Sequence, residues 1–154
     1  MKRGKLAQYA WSSDLMNIKV IHGEEEFSFN LNSEVVIDEN RINAEIMDQP
    51  SAYAFLGLLH KKLIRVTLDK KREMEKTYSS KYIEYKGMTE ESTGRPTANE
   101  LAKEKAIASG TYQRSIKDYH RAKHEMEILE TCVSSFEQRT SLIQTLSANI
   151  RKTN

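Results

Sequence analysis

The chain has 154 residues, 38% of them hydrophobic and 30% charged, with six Gly, two Pro and a formal net charge of +2. Such a composition suits a single helix-rich domain of elongated elements better than a compact enzyme with a deep core. Cys132 is the only cysteine, which excludes a disulfide framework and a cysteine-based metal site, and no stretch nears the ~20 apolar residues that span a bilayer. No apolar signal region follows the charged amino terminus, so a reducing cytoplasm is the expected compartment.

Charge is distributed unevenly. Residues 1–50 hold five basic and nine acidic side chains (−4), residues 51–81 eight and three (+5), and the remainder eleven and ten. A basic helical arm behind an acidic amino-terminal portion points to a polyanionic partner or, equally, to a solvated helix face.

Met1–Lys5 is basic and expected to fray. Two strand-like segments follow, Asn17–His22 and Phe27–Leu31, the second alternating apolar with polar. Gly23 and the run Glu24–Glu26 suit the loop between them. A lone hairpin is marginal and must dock on something. Asp38 can cap a short helix to about Met47, with Ile42 and Ile46 one turn apart. Gln49-Pro50 then interrupts, and a new helix is expected to start near Pro50, where a missing N–H costs nothing.

From Ser51 to about Lys86, Leu56, Leu59, Leu63 and Val66 keep three- and four-residue steps, and Met74, Tyr78, Tyr82 and Tyr85 resume them. Gly87–Pro96 stops this helix. Thr97-Ala98-Asn99-Glu100 has the form of a capping box, after which Ala108, Tyr112, Ile116, Tyr119, Met126, Leu129, Val133 and Phe136 carry a second helix towards the end. A ten-residue linker between two such helices favours an antiparallel pair.

The predicted fold is thus mainly α: a long antiparallel helical hairpin (35–154) preceded by a short β-hairpin appendage (1–34) and a short linking helix. If the first helix matches Thr97–Cys132 in length, residues 133–151 overhang it. Phe136, Leu142, Ile143, Leu146 and Ile150 then need cover, either from residues 15–47 or from a second copy in self-association.

Catalytic chemistry is not indicated. His120 and His124 are four apart but lack a third ligand and sit among Arg114, Lys117, Arg121 and Lys123, so no metal or other cofactor is expected. There is no Gly-rich phosphate loop and no nucleophile elbow, and the carboxylates lie on rods rather than around a pocket. The chain is expected not to be an enzyme.

At 100° per residue, Lys61, Arg65, Arg72 and Lys76 form a stripe opposite Leu59, Leu63, Val66 and Met74. On the second helix Lys103, Arg114, Lys117, Arg121 and His124 form another. Such tracks bind nucleic-acid backbones by displacing counterions. Tyr78, Tyr82 and Tyr85 offer stacking faces for single-stranded bases or, more simply, belong to the helix seam.

The residues Val35-Val36-Ile37-Asp38, Ile42, Glu45 and Asp48–Tyr53 resemble the start of the helical hairpin in phage recombination mediators of the UvsY type. The string Glu104–Ser109, then Tyr112, Tyr119, Leu129, Phe136, Arg139 and Leu146, is similar in order and spacing to that family's second helix. The resemblance covers residues 35–152. It implies a homo-oligomeric ring that binds single-stranded DNA and helps load a RecA-type recombinase onto DNA coated with a single-strand DNA-binding protein, in the host cytoplasm. It further implies DNA contacts near the end of the first helix, at Lys81 with Lys76 and Lys86 beside it. Ser79 departs from the cation that the family's pattern suggests. Assembly would fall to the carboxy-terminal helix.

The expected function is therefore that of a non-enzymatic recombination mediator with no membrane association. Two other readings remain at this stage: a coiled-coil adaptor that binds a protein and no DNA, and an inhibitor whose acidic amino-terminal segment mimics nucleic acid.

Overall fold

The computed structural model describes residues 17–22, 25–90 and 94–153. The expectations for Met1–Lys5, Gly23 and Glu24 lie outside the described residues, as do residues 91–93 of the linker. The architecture is mainly helical, with a short amino-terminal two-stranded sheet and short linking helices. By its contacts the chain divides into two compact units, Met1–Lys61 with Glu127–Asn154, and Lys62–Met126.

In the first unit, strands β1 (Asn17–His22) and β2 (Glu25–Asn30) pair antiparallel, with Ile18 opposite Phe29 and Val20 opposite Phe27. Ile18 and Val20 are buried while Asn17 and Lys19 between them are exposed, so period-two alternation gives the hairpin one apolar face. That face docks on the first long helix, where the Phe27 ring meets Phe55 edge-on at 5.6 Å. Glu25 and Glu26 belong to β2 rather than to the loop, and Glu26 pairs with Lys19 at 2.9 Å. The strand therefore starts earlier than Phe27, because a cross-strand ion pair serves the solvent face as well as a threonine would.

Helix α1 (Leu31–Val35) follows directly, its first turn held by the Asn30 side chain, which accepts from the Ser33 N–H at 3.1 Å. Asp38 caps a single 3-10 turn, Glu39–Arg41, accepting from the Asn40 N–H at 2.9 Å.

Helix α2 runs from Ile42 to Lys86 without a break, and Pro50 lies inside it. The expected interruption at Gln49-Pro50 does not occur. Proline removes one bond to the Ile46 carbonyl, but Pro50 is exposed. Its neighbour Gln49 is buried and donates to the Phe136 carbonyl and the Thr140 hydroxyl, each at 2.9 Å. Those bonds, with Leu56 and Leu59 buried behind them, hold the helix through its defect.

Within this unit α2 packs against the end of helix α4 (Gly110–Thr153). Leu129, Phe136 and Ile143, and likewise Cys132 and Arg139, recur every seven residues and are buried, as are Gln49 and Leu56 on α2. A seven-residue recurrence is the signature of a paired-helix seam. Because α2 begins at Ile42, Phe136 and Ile143 are covered by their own chain and do not overhang. Leu146 is half-buried, and Leu142 (57% exposed) and Ile150 (38%) remain at the surface.

In the second unit, Leu63 and Thr67 of α2 and Ser115 and Ala122 of α4 are buried. The Thr67 hydroxyl donates to the Ala122 carbonyl at 3.1 Å, and the Tyr78 ring meets Tyr112 at 5.4 Å. Partner numbers fall on α4 as they rise on α2, so the two helices run antiparallel. A tight turn at Gly94 (φ +63°) and a bridge between Thr89 and Pro96 form the tip.

The capping box at Thr97 is not formed. Thr97 is buried and its hydroxyl donates to the Met88 carbonyl at 2.8 Å, fastening the tip rather than capping a helix. Helix α3 (Asn99–Ala108) starts after Ala98 with no side-chain cap, and Glu100 pairs with Lys103 instead. Nor is the second helix continuous. It breaks at Ser109, whose ψ of 134° is extended, and Ser109 then caps α4 by accepting from the Tyr112 N–H at 3.3 Å. The Ser-Gly pair at 109–110 is the cue for that break.

Candidate nucleic-acid interface

Helical spacing sets two rows of cations opposite the seams, and the structure divides them by partner. On α2, Lys61 is exposed at the end of the first unit and Arg65 and Lys76 are exposed in the second, all three without a side-chain partner among the described residues. Arg72 meets Asp69 at 3.3 Å, with both side chains largely in solvent. Such a pair is worth little and opens readily.

Lys81 and Lys86 are committed elsewhere. Lys81 is half-buried and bonds Glu84 at 2.6 Å, and that hydrogen bond holds its ammonium above the usual lysine pKa. The Lys86 ammonium donates to the Thr97 carbonyl at 3.1 Å, part of the tip's own fastening. These two positions, singled out by the family resemblance, thus carry local partners.

On α4 Arg114 donates from Nε to the Gly110 carbonyl at 3.2 Å, which leaves its terminal nitrogens outward. Lys117 is exposed without a partner among the described residues, and Arg121 lies 3.9 Å from Glu125, a loose contact. His120 and His124 are exposed on the same stretch, and His120 packs against the Tyr119 ring at 5.4 Å. No large apolar side chain is exposed between Gly110 and Met126. This row is polar, and its cations outnumber the acidic Asp118 and Glu125 that share the face.

The tyrosines are seam residues in part. Tyr78 lies between Tyr82, stacked at 6.5 Å with 15° between planes, and Tyr112; Tyr82 and Tyr85 are half-buried. Each of the three is only partly exposed.

Arg139 is the functional-looking residue that residue-type patterns overlook. It is 8% exposed, and its guanidinium donates to the Glu45 carboxylate, to the Gln49 side-chain oxygen and, at 3.3 Å, to the Val36 carbonyl. Glu45 also accepts from the Asp38 N–H at 3.2 Å. The cluster ties the linker before α2, α2 itself and α4 into one knot, and it leaves Arg139 no freedom to meet a phosphate. Its sequence cue is the interval of seven from Cys132.

Open clefts are lined by the first unit, among them one of about 430 Å³ bounded by Gln49, Tyr53 and Glu137 and one of about 420 Å³ lined by Phe27, Phe29, Phe55 and Phe136 with Glu26 and Glu34. None of these clefts is lined by a histidine or a cysteine. Among the described residues no three His, Cys, Asp or Glu side chains converge as a metal site would require, and no helix is long and apolar enough to cross a membrane. Burial pushes the Cys132 thiol up, away from its reactive form. No family model, curated protein or solved structure matches the chain.

Proposed function

We propose that the protein is a recombination mediator that binds single-stranded DNA as a homo-oligomer and promotes loading of a RecA-type recombinase onto DNA coated with a single-strand DNA-binding protein, in the cytoplasm of a bacterial host. The observation that carries this reading is the α4 row of the second unit: Arg114, Lys117 and Arg121 are exposed with no large apolar side chain among them. A surface of that kind can exchange counterions for phosphates without reading sequence. The resemblance of residues 35–152 to the mediators supports it independently.

Assembly follows from the same economy of weak contacts. A few phosphate contacts per subunit bind weakly, but copies joined in a ring act together through effective concentration. Leu142 and Ile150, together with Met47 and Leu58, are among the exposed apolar side chains of the first unit that could make that contact, whereas Phe136 and Ile143 are spent inside the subunit.

The test pairs sedimentation mass with anisotropy of labelled oligothymidylate across a salt series. The reading expects an oligomer whose DNA affinity falls linearly with the logarithm of salt concentration. An oligomer that retains no oligothymidylate at low salt would falsify it and would hand the protein to the adaptor reading.

A further inference from the structure

The two cationic rows differ in one respect that phosphate binding does not explain. In the second unit the outer face of α2 interleaves its cations with exposed apolar side chains: Ile64, Leu68 (51% exposed) and Ile83 (69%). The α4 row has none. Between residues 62 and 76 there are six basic and three acidic residues. Every acid is already engaged on its own helix: Asp69 with Arg72, Glu73 with Lys70, and Glu75 with Lys71. Lys62, Arg65 and Lys76 are left without a partner among the described residues.

A phosphate backbone gains nothing from an isoleucine or a leucine beside it. A peptide gains from both, since its carboxylates meet the free cations and its apolar side chains cover Leu68 and its neighbours. We propose that this face of α2 docks an acidic, apolar-anchored segment of a protein partner, laid along the helix with apolar side chains at helical spacing. Charge complementarity selects the partner: the free charges on the face are all positive, so an acidic segment is drawn in and a basic one repelled. Resting on the mediator reading, this assigns the two rows different ligands, with DNA on α4 and protein on α2.

The probe is a synthetic helical peptide with leucines every third or fourth residue flanked by glutamates. Its controls replace leucine by serine, or glutamate by lysine. Binding is read by anisotropy on the full-length protein, alongside oligothymidylate. The wild type is expected to bind the Glu/Leu peptide and neither control. Leu68→Ser is expected to weaken the peptide about tenfold while oligothymidylate affinity moves by less than about twofold. Arg65→Gln with Lys76→Gln should weaken the peptide as well. Leu68 is half in solvent, so its replacement leaves the fold intact, which circular dichroism checks.

No binding of the Glu/Leu peptide by the wild type overturns the proposal, as does a Leu68→Ser variant that binds it normally. Displacement of the peptide by oligothymidylate, mole for mole, overturns it in favour of a DNA face. Loss of the oligomer in Leu68→Ser overturns it in favour of a contact between copies. Absence of oligothymidylate binding alone sinks the mediator reading and leaves the peptide measurement to stand on its own.

Discussion

Arg139 and Glu45 form an ion pair inside the first unit, between α4 and the first turn of α2, with only 8% of the arginine exposed. A charge that deep is tolerable only while it is paired, so removing one partner strands the other. Arg139→Ala is expected to cost about 3–5 kcal/mol of stability, read as a lower denaturant midpoint. Arg139→Met, which keeps the volume, should cost less. A midpoint unchanged in both variants would show that the cluster contributes nothing.

Pro50 gives a prediction of opposite sign. Pro50 lies exposed inside a helix, and Pro50→Ala restores a backbone donor to the Ile46 carbonyl. Helix propensity favours alanine by about 3 kcal/mol at an interior site, and a gain of roughly half that is expected where the helix has already accommodated the ring. Thermal melting of the variant checks it, with a rise as the expected outcome.

The α4 row is accessible to a charge-counting experiment. Arg114→Ala, Lys117→Ala and Arg121→Ala remove exposed cations and should leave melting within about 0.5 kcal/mol for each substitution. If each contacts a phosphate of single-stranded DNA, the triple variant should flatten the salt dependence by about 2 in log–log slope, at roughly 0.7 per contact. A slope identical to wild type moves the DNA path off this row.

Cys132 supplies a pH-dependent test. Burial raises its thiol pKa, so the reactive thiolate is scarcer in the folded protein than in the unfolded chain at any pH near 8. Deprotonation favours the unfolded state, and stability credited to the neutral thiol is fully present below the unfolded pKa and declines above it. Alkylation by iodoacetamide at pH 8 should be slow in native protein and complete in denaturant. Rapid native labelling would contradict the burial.

Sequence and structure agree where side-chain period decides the outcome. The hairpin strands and both long helices follow from alternation at Ile18, Val20, Phe27 and Phe29 and from the repeats through Leu56, Leu59 and Leu63. They part where a local rule competes with a distant contact. Pro50 reads as a helix start until Gln49 is seen bonding α4. Thr97 satisfies a capping pattern but finds the Met88 carbonyl, a partner that only the folded tip brings near. Ser109-Gly110 carries a break signal that a strong flanking periodicity masks. The candidate cations were legible as a list, but their availability was not: carboxylates three or four residues away decide which remain free, and tertiary contacts take Lys86 and Arg139.

Gln49 and Arg139 have one more consequence, for how the two helices find each other. Leucine layers spaced by sevens are interchangeable, so a pair of such helices can slide by one heptad at small cost. Here a slide would carry the guanidinium away from Glu45 and Gln49 and leave its charge facing an apolar layer. One polar layer among apolar ones thus serves as an alignment key, as a lone buried polar residue does in coiled coils. Sequence drift along the apolar layers of the first unit is then tolerable, because the frame between the helices there is set at the level of Arg139.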